Sequence, residues 1–257
     1  MSKIQRILIQ FCAVAAFFLI WKGYVTLNDV SPLVLPPPEM VLVALVKLLK
    51  TPDTYYHLYI TLSECLGGFA FAIVFGTVIG QLLGRSPMLD TIFKPFVIAL
   101  QVTPKVALIP LFILWFGFGI ESKIIVSAVL AFFPVFANSY LGAKSVDRGL
   151  AEVFLVGKAS HSRRFRLLVI PSSLPYILTG MEMSIVLAII GAVVAEFVAG
   201  TRGLGYLATV KLQELEVDTL FAVVILLALI GFTLYFAVGS LRKVLIPWHE
   251  SASSVQL

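Results

Sequence analysis

Apolar residues run along this chain in long blocks, separated by short stretches where charge and proline gather. Blocks of that length mark helices that cross a bilayer, whose core of about 30 Å takes roughly 20 helical residues. Six spans are expected, at 7–21, 59–83, 91–118, 123–141, 167–199 and 220–238. The first follows Lys3 and Arg6 as a signal peptide would, but no small-x-small site follows it, so it reads as an uncleaved anchor helix over 7–23. After Pro36-Pro37-Pro38-Glu39, the stretch 38–50 is apolar with Lys47 and Lys50, and its proline start predicts a short helix lying on the membrane surface. The loop 142–166 is the longest polar connection, and the core of a single transmembrane domain over 1–257 falls at about 55–245.

Charge tests this layout, because Lys and Arg concentrate in cytoplasmic connections. With the N-terminus inside, the inner segments hold Lys3, Arg6, Arg85, Lys94, Lys144, Arg148, Lys158, Arg163, Arg164, Arg166, Arg242 and Lys243. The outer segments hold only Lys22, Lys47, Lys50, Lys123, Arg202 and Lys211. Both termini are therefore expected in the cytoplasm. Composition agrees: 60% of the 257 residues are hydrophobic and 13% charged, with a mean hydropathy of +1.01. A soluble domain of this length could not hide so much apolar surface, so lipid is its solvent. The net charge of +5 follows from topology and does not imply nucleic acid. No internal repeat is visible, so the two-fold symmetry common among transporters would need a second copy.

Within the spans, Gly76, Gly80 and Gly84 recur every fourth residue, which lets another helix approach closely. Pro104 and Pro110 should bend the third span around Lys105. Cys12 and Cys65 have no Cys or His at metal-ligand spacing and read as packing residues. Four ionisable residues, Glu64, Lys105, Glu182 and Glu196, fall inside spans, where charge is costly, and each is a candidate for the translocation pathway. Plainer readings stand beside that one. Glu64 and Glu196 sit near the outer face and could reach water, while Lys105 could pair with Glu182, which shares a helical stripe with Glu196.

The loop carries the strongest pattern. Glu152, Val153 and Phe154, then Lys158 beside Gly157, then Leu168, Ile170 and Pro171 follow the spacing Glu-Ala-Ala, three residues, Gly, nine residues, Ile-x-Leu-Pro. On these residues the chain resembles the integral membrane permeases of binding-protein-dependent ABC importers. Lys158 stands where that pattern has glycine, which puts the local turn in question. Further strings resemble the nitrate, sulfonate, taurine and bicarbonate branch: Leu35-Pro36-Pro37-Pro38-Glu39, Ile109-Pro110-Leu111, Trp115-Phe116-Gly117, Ala131-Phe132-Phe133-Pro134, Ser145-Val146-Asp147, 174–180, Val194-Ala195-Glu196 and 203–207. Residues 104–108 and the tail Ile246-Pro247-Trp248-His249 look closer to members assigned to thiamine-precursor or riboflavin uptake.

The resemblance implies an all-α type I importer fold with about six transmembrane helices in a bacterial inner (plasma) membrane. It implies two copies forming the pathway, two cytoplasmic ATPase subunits and an extracytoplasmic binding protein. Energy would enter through Glu152, Val153, Val156, Gly157, Lys158, Ala159, Ser160 and His161, on a docking helix expected over 152–162. No cofactor is expected on this chain, with ATP and Mg held by the ATPase. The residues agree, since Gly157-Lys158 is followed by Ala159 and preceded by Glu152, which is not a phosphate-binding loop. A stand-alone secondary transporter using Glu64, Glu182 and Glu196 is the alternative. An enzyme is not supported, because His57, His161 and His249 are scattered and no His or Cys cluster forms.

Overall fold

The computed structural model describes residues 3–247, without the side chains of residues 3, 4, 7 and 148. Trp248 and His249, which carry part of the tail resemblance, lie outside the described residues. Among the described residues every regular element is helical: α1 (Lys3–Leu27), α2 (Pro38–Lys50), α3 (Pro52–Arg85), α4 (Pro87–Val102), a 3₁₀ turn (Lys105–Leu108), α5 (Ile109–Phe116), α6 (Ile120–Lys144), α7 (Arg148–Val156), α8 (His161–Arg164), a turn of π-helix (Phe165–Val169), α9 (Ile170–Ala199), α10 (Leu204–Gln213) and α11 (Val217–Leu245). Five continuous stretches are long and apolar enough to cross a membrane, and α4 with the segment 105–116 makes a sixth, bent by 84°.

Proline sets this bend. Thr103 and Pro104 are extended, which stops α4, and Pro110 restarts the chain at the N-terminal edge of α5, where a missing N–H costs nothing. The remaining spans are longer than hydropathy alone indicates. α3 begins at Pro52 and takes in Tyr55, Tyr56 and Tyr59, polar and aromatic residues suited to the interface.

The core is a stack of α3, α6 and α9. Its centre joins Cys65, Phe69 and Ala72 of α3 to Ala131 of α6 and Ile185, Ala188 and Ala192 of α9. Small residues allow this. A β-carbon built on Gly76 would lie 3.0 Å from Val135, and one on Gly80 2.6 Å from the Phe136 carbonyl, so α6 crosses α3 at backbone contact. In the same seam the Ser127 hydroxyl donates to the Ala188 carbonyl at 2.9 Å, joining α6 to α9. Cys65 packs as expected, whereas Cys12 is exposed on α1, a helix whose apolar surface is almost wholly uncovered.

α2 does more than float on a surface. It buries Val41, Ala44 and Leu48, of which Ala44 and Leu48 cluster with Leu204 and Ala208 of α10 and Ala222, Val223 and Leu226 of α11. Lys22 of α1 lies 3.1 Å from Glu39. The backbone amide at the start of α2 and this ammonium hold the Glu39 carboxyl below its usual range. α10 itself occupies a stretch read from sequence as a plain connection.

Candidate functional site

Two ends of the bundle concentrate the polar chemistry. At one end α3 starts, α9 finishes and α10 begins; at the other lie the ends of α3 and α6, the segment α7–α8 and the start of α9.

At the first end the chain turns sharply after α9, with Gly203 at φ 104, and presents the N-terminus of α10 to the interior. The opening N–H groups of any helix lack partners within it. Here each finds a side chain. The Gly203 amide donates to His57 Nδ1 at 2.9 Å, the Leu204 amide to Thr61 Oγ1 at 2.8 Å, and the Gly205 amide to Glu196 Oε2. The Thr61 hydroxyl then donates to Glu196 Oε1 at 2.6 Å, and His57 Nε2 lies 3.1 Å from Asp53. His57 and Thr61 are one turn apart on α3, and Glu196 supplies a carboxyl oxygen to the amides that open α10. Glu64, one turn further along α3, touches Glu196, and both are 1% exposed. Both carboxyls are buried, contrary to the plain expectation, and α10 folds back over Glu196. Lys123 is also buried, and its ammonium donates to the carbonyls of Phe118 (2.8 Å) and Gly119 (3.0 Å). Glu64 and Lys123 share a cavity of about 370 Å³ with Arg202.

Glu182 and Lys105 do not meet. Lys105 lies in the turn between α4 and α5, where its ammonium donates to the Gln101 carbonyl at 3.1 Å and sits 4.2 Å from the ring centroid of Phe133. Glu182 faces α11 instead. Its Oε1 lies 3.0 Å from Nη2 of Arg242, an ion pair whose hydrogen bond Arg242 directs to Thr179 Oγ1 at 2.9 Å. Glu182 and Glu196 share a stripe on α9 but have unrelated neighbours, so the acidic stripe is not one site.

At the second end, Asp147 caps α7 by accepting from the Leu150 amide at 2.9 Å. The helix ends early. Lys158 adopts φ 49, the left-handed conformation, and the Gly157 and Ala159 amides return to the carbonyls of Val153 (2.9 Å) and Phe154 (3.0 Å). Ser160 then caps α8, accepting from the Arg163 amide at 3.3 Å. The docking helix expected over 152–162 is therefore two helices with a turn between them. Glu152 falls in the middle of α7 and not near its start, and Arg163 and Arg164 belong to α8. The turn that Lys158 put in question is present, with lysine holding the conformation that glycine adopts most easily. Val153 is 66% and Val156 85% exposed, and Leu150 and Leu155 are exposed beside them. α7 thus carries an apolar surface outside the spanning helices, followed by His161, Arg163, Arg164 and Arg166.

Residues 72–249 match the binding-protein-dependent transport system inner membrane component family. This chain belongs to that family. It is 34% identical over 220 residues to the formylaminopyrimidine transport permease protein of Halalkalibacterium halodurans, covering 86% of this chain and 88% of that one. It is 34% identical over 231 residues to the riboflavin transport system permease protein of Chloroflexus aurantiacus, covering 90% and 86%. With the taurine transport system permease protein of Escherichia coli it shares 30% identity over 250 residues, covering 95% and 91%. The chain is accordingly an all-α, multi-pass permease of an ABC importer and not an enzyme. Membership implies, in general terms, a partner ATPase and a substrate-binding protein.

Sequence reasoning missed His57, Thr61, Arg242 and the α10 N-terminus. A signal was available for the last of these. Gly200, Gly203 and Gly205 follow Glu196 closely, and a glycine-rich reversal after a carboxylate brings amides back onto it.

Proposed function

We propose that two copies of this permease form one translocation pathway, and that α7 with the turn after it receives the motion of two cytoplasmic ATPase subunits. ATP and Mg would be held by those subunits and not by this chain. The observation that carries this reading is the uncovered apolar surface of α7. Valines and leucines exposed beyond the membrane helices have a reason to persist when another protein covers them. The cation excess at the α7 end supports placing that end in the cytoplasm, with both termini there. The opposite end, sealed by α10, would then face the binding protein. Glu152, Val153, Val156 and the turn Gly157–His161 would form the contact, and a short capped helix joined directly to α9 suits transmission of a rigid-body shift.

The same proposal assigns Lys105 to the substrate route. It is an intramembrane cation at a broken helix, the kind of element that borders pathways, whereas Glu182 is paired with Arg242 and Glu196 with Thr61 and the Gly205 amide. The cargo is a small solute, either an organic anion like the taurine of the Escherichia coli relative or a heterocycle like the formylaminopyrimidine and riboflavin of the other two. Co-purification with the ATPase encoded beside this chain, and ATP-driven uptake in vesicles, test the proposal. A complex with one permease copy per two ATPases and no second permease would overturn the symmetric pathway.

A further inference from the structure

The 84° break between α4 and α5 leaves a cavity of about 410 Å³, bounded by α3, α4, the 3₁₀ turn, α5 and α6. That volume falls within the roughly 300–1,000 Å³ of small-molecule sites. Its wall is almost entirely carbon. Phe71 and Phe75 come from α3, Phe112 from α5, and Phe132 and Phe133 from α6, while Thr103 and Lys105 are the polar residues on the lining. Phe71 and Phe75 lie nearly parallel, with centroids 5.9 Å apart and planes 6° apart, and Phe132 meets Phe133 edge to face.

The cavity has one charge, and none of the described residues on its lining balances it. Lys105 makes one bond to a carbonyl and one contact to the Phe133 ring, and among the described residues no carboxylate lies within ion-pair distance of its ammonium. An unbalanced cation inside a membrane protein is costly and marks function.

Three kinds of occupant can be weighed against this wall. A small aliphatic zwitterion would shed its hydration for a surface with two polar side chains, and its own ammonium would oppose Lys105. A lipid acyl chain would cover the rings and leave the ammonium bare. A planar aromatic ring carrying one acidic group meets both demands, since the ring packs against phenylalanine and the anion supplies the missing counter-charge. We infer that this cavity is a substrate subsite that selects planar aromatic or heteroaromatic monoanions over small aliphatic zwitterions. It rests on the reading of Lys105 as a residue of the substrate route.

The test uses the full chain in lipid nanodiscs and calorimetric titration with benzenesulfonate, methanesulfonate, taurine and benzylammonium. Benzenesulfonate should bind about tenfold or more tightly than methanesulfonate or taurine, and benzylammonium not measurably. Lys105→Met should lower benzenesulfonate affinity about tenfold, with Lys105→Arg retaining it. Phe133→Leu, which keeps an apolar wall, should lower it several-fold. Equal binding of methanesulfonate and benzenesulfonate would overturn the inference, as would indifference to Lys105→Met. Benzylammonium binding as well as benzenesulfonate would reduce the cavity to an acyl-chain groove and overturn it too. ATP-driven uptake of the compound that co-purifies with the partner binding protein separates the two readings. If the binding pattern holds while Lys105→Met keeps full uptake, the aromatic-anion site stands and the route through Lys105 falls. If uptake collapses but the binding pattern is absent, the route stands and the substrate class falls.

Discussion

The two ends of the bundle solve opposite problems. Around Glu196 the fold turns polar groups inward and pairs most of them internally: three amides of α10 meet His57, Thr61 and Glu196, while one oxygen of the neighbouring Glu64 is left without a hydrogen bond among the described residues. Around α7 it turns apolar groups outward, leaving Leu150, Val153, Leu155 and Val156 uncovered. A region that closes on itself contributes to stability, and a region that stays open is arranged for something else to close it. The contrast says which substitutions should unfold the chain and which should leave it folded and uncoupled.

The largest expected effect is at the closed end. Glu196→Ala removes the acceptor of the Gly205 amide and the Thr61 hydroxyl at a buried position, and should cost about 3 kcal/mol or more. Glu196→Gln keeps an oxygen there and should lose less. Thermal unfolding of the purified permease in detergent measures both. If both variants melt with the parent, the turn before α10 is held by His57 and Thr61 without the carboxylate; if glutamine loses as much as alanine, the carboxylate itself and not only its oxygen is required.

At the open end the expected loss lies in association and not in folding. Val153→Asp or Val156→Asp places a carboxylate on a surface already in water, so the unfolding temperature should stay within a degree or two of the parent. If α7 is the ATPase contact, burying that carboxylate should weaken the complex by about tenfold or more, roughly 1.4 kcal/mol. Co-purification and ATP-driven uptake read this out. A variant that melts early would show that α7 belongs to the folded core, and one that keeps full uptake would show that its apolar surface has another use.

The difference between the ends also explains what the sequence made legible. Lipid-facing helices must be apolar throughout, so the spans are written as long blocks, and the bend at Pro104 and Pro110 is written as proline. Their ends are harder to read, because α3 continues through Pro52–Tyr59 on residues that suit the interface as well as a loop would. Partners are hardest. A helical wheel places Glu182 and Glu196 on one stripe of α9, but only tertiary packing sends one to Arg242 of α11 and the other to α10. Arg242 had been absorbed into the topological count, where any basic residue near a helix end is expected. In α7 the loop pattern is visible and raises the question of a turn at 158, but lysine carries no signal for a left-handed conformation, and the apolar surface is hidden in what reads as a polar connection.

Between the two ends, the Glu182–Arg242 pair sharpens the comparison. Its side chains are 16% and 11% exposed, so it is neither sealed like Glu196 nor free like α7. Glu182→Gln and Arg242→Gln should each destabilise, and the double variant should recover about 1 kcal/mol relative to the sum of the single losses. Arg242→Gln should be the worse of the two, since it also gives up the bond to Thr179. Simple additivity in thermal unfolding would mean that Glu182 and Arg242 contribute independently and that the pair adds nothing to stability.

The smallest expected effect concerns the turn itself. Lys158 occupies φ 49, where a side chain crowds the backbone and glycine does not. Glycine at this position would remove that crowding in the folded state, but it would also give the unfolded chain more conformations to lose. The two terms oppose each other. The crowding is worth about 1 kcal/mol and the entropy somewhat less, so Lys158→Gly should be neutral or stabilising by a few tenths of a kcal/mol. Lys158→Val should be worse than either, because a β-branched residue tolerates the left-handed region least. If α7 and α8 must hold a fixed angle to transmit motion, the order glycine, lysine, valine in stability should reappear in the ratio of uptake to ATP hydrolysis, with valine the least coupled. Measuring both rates in vesicles decides between a turn that only ends a helix and one that sets the angle of the contact. Full coupling in Lys158→Val, despite its lower stability, would leave the conformation at residue 158 with a purely structural part.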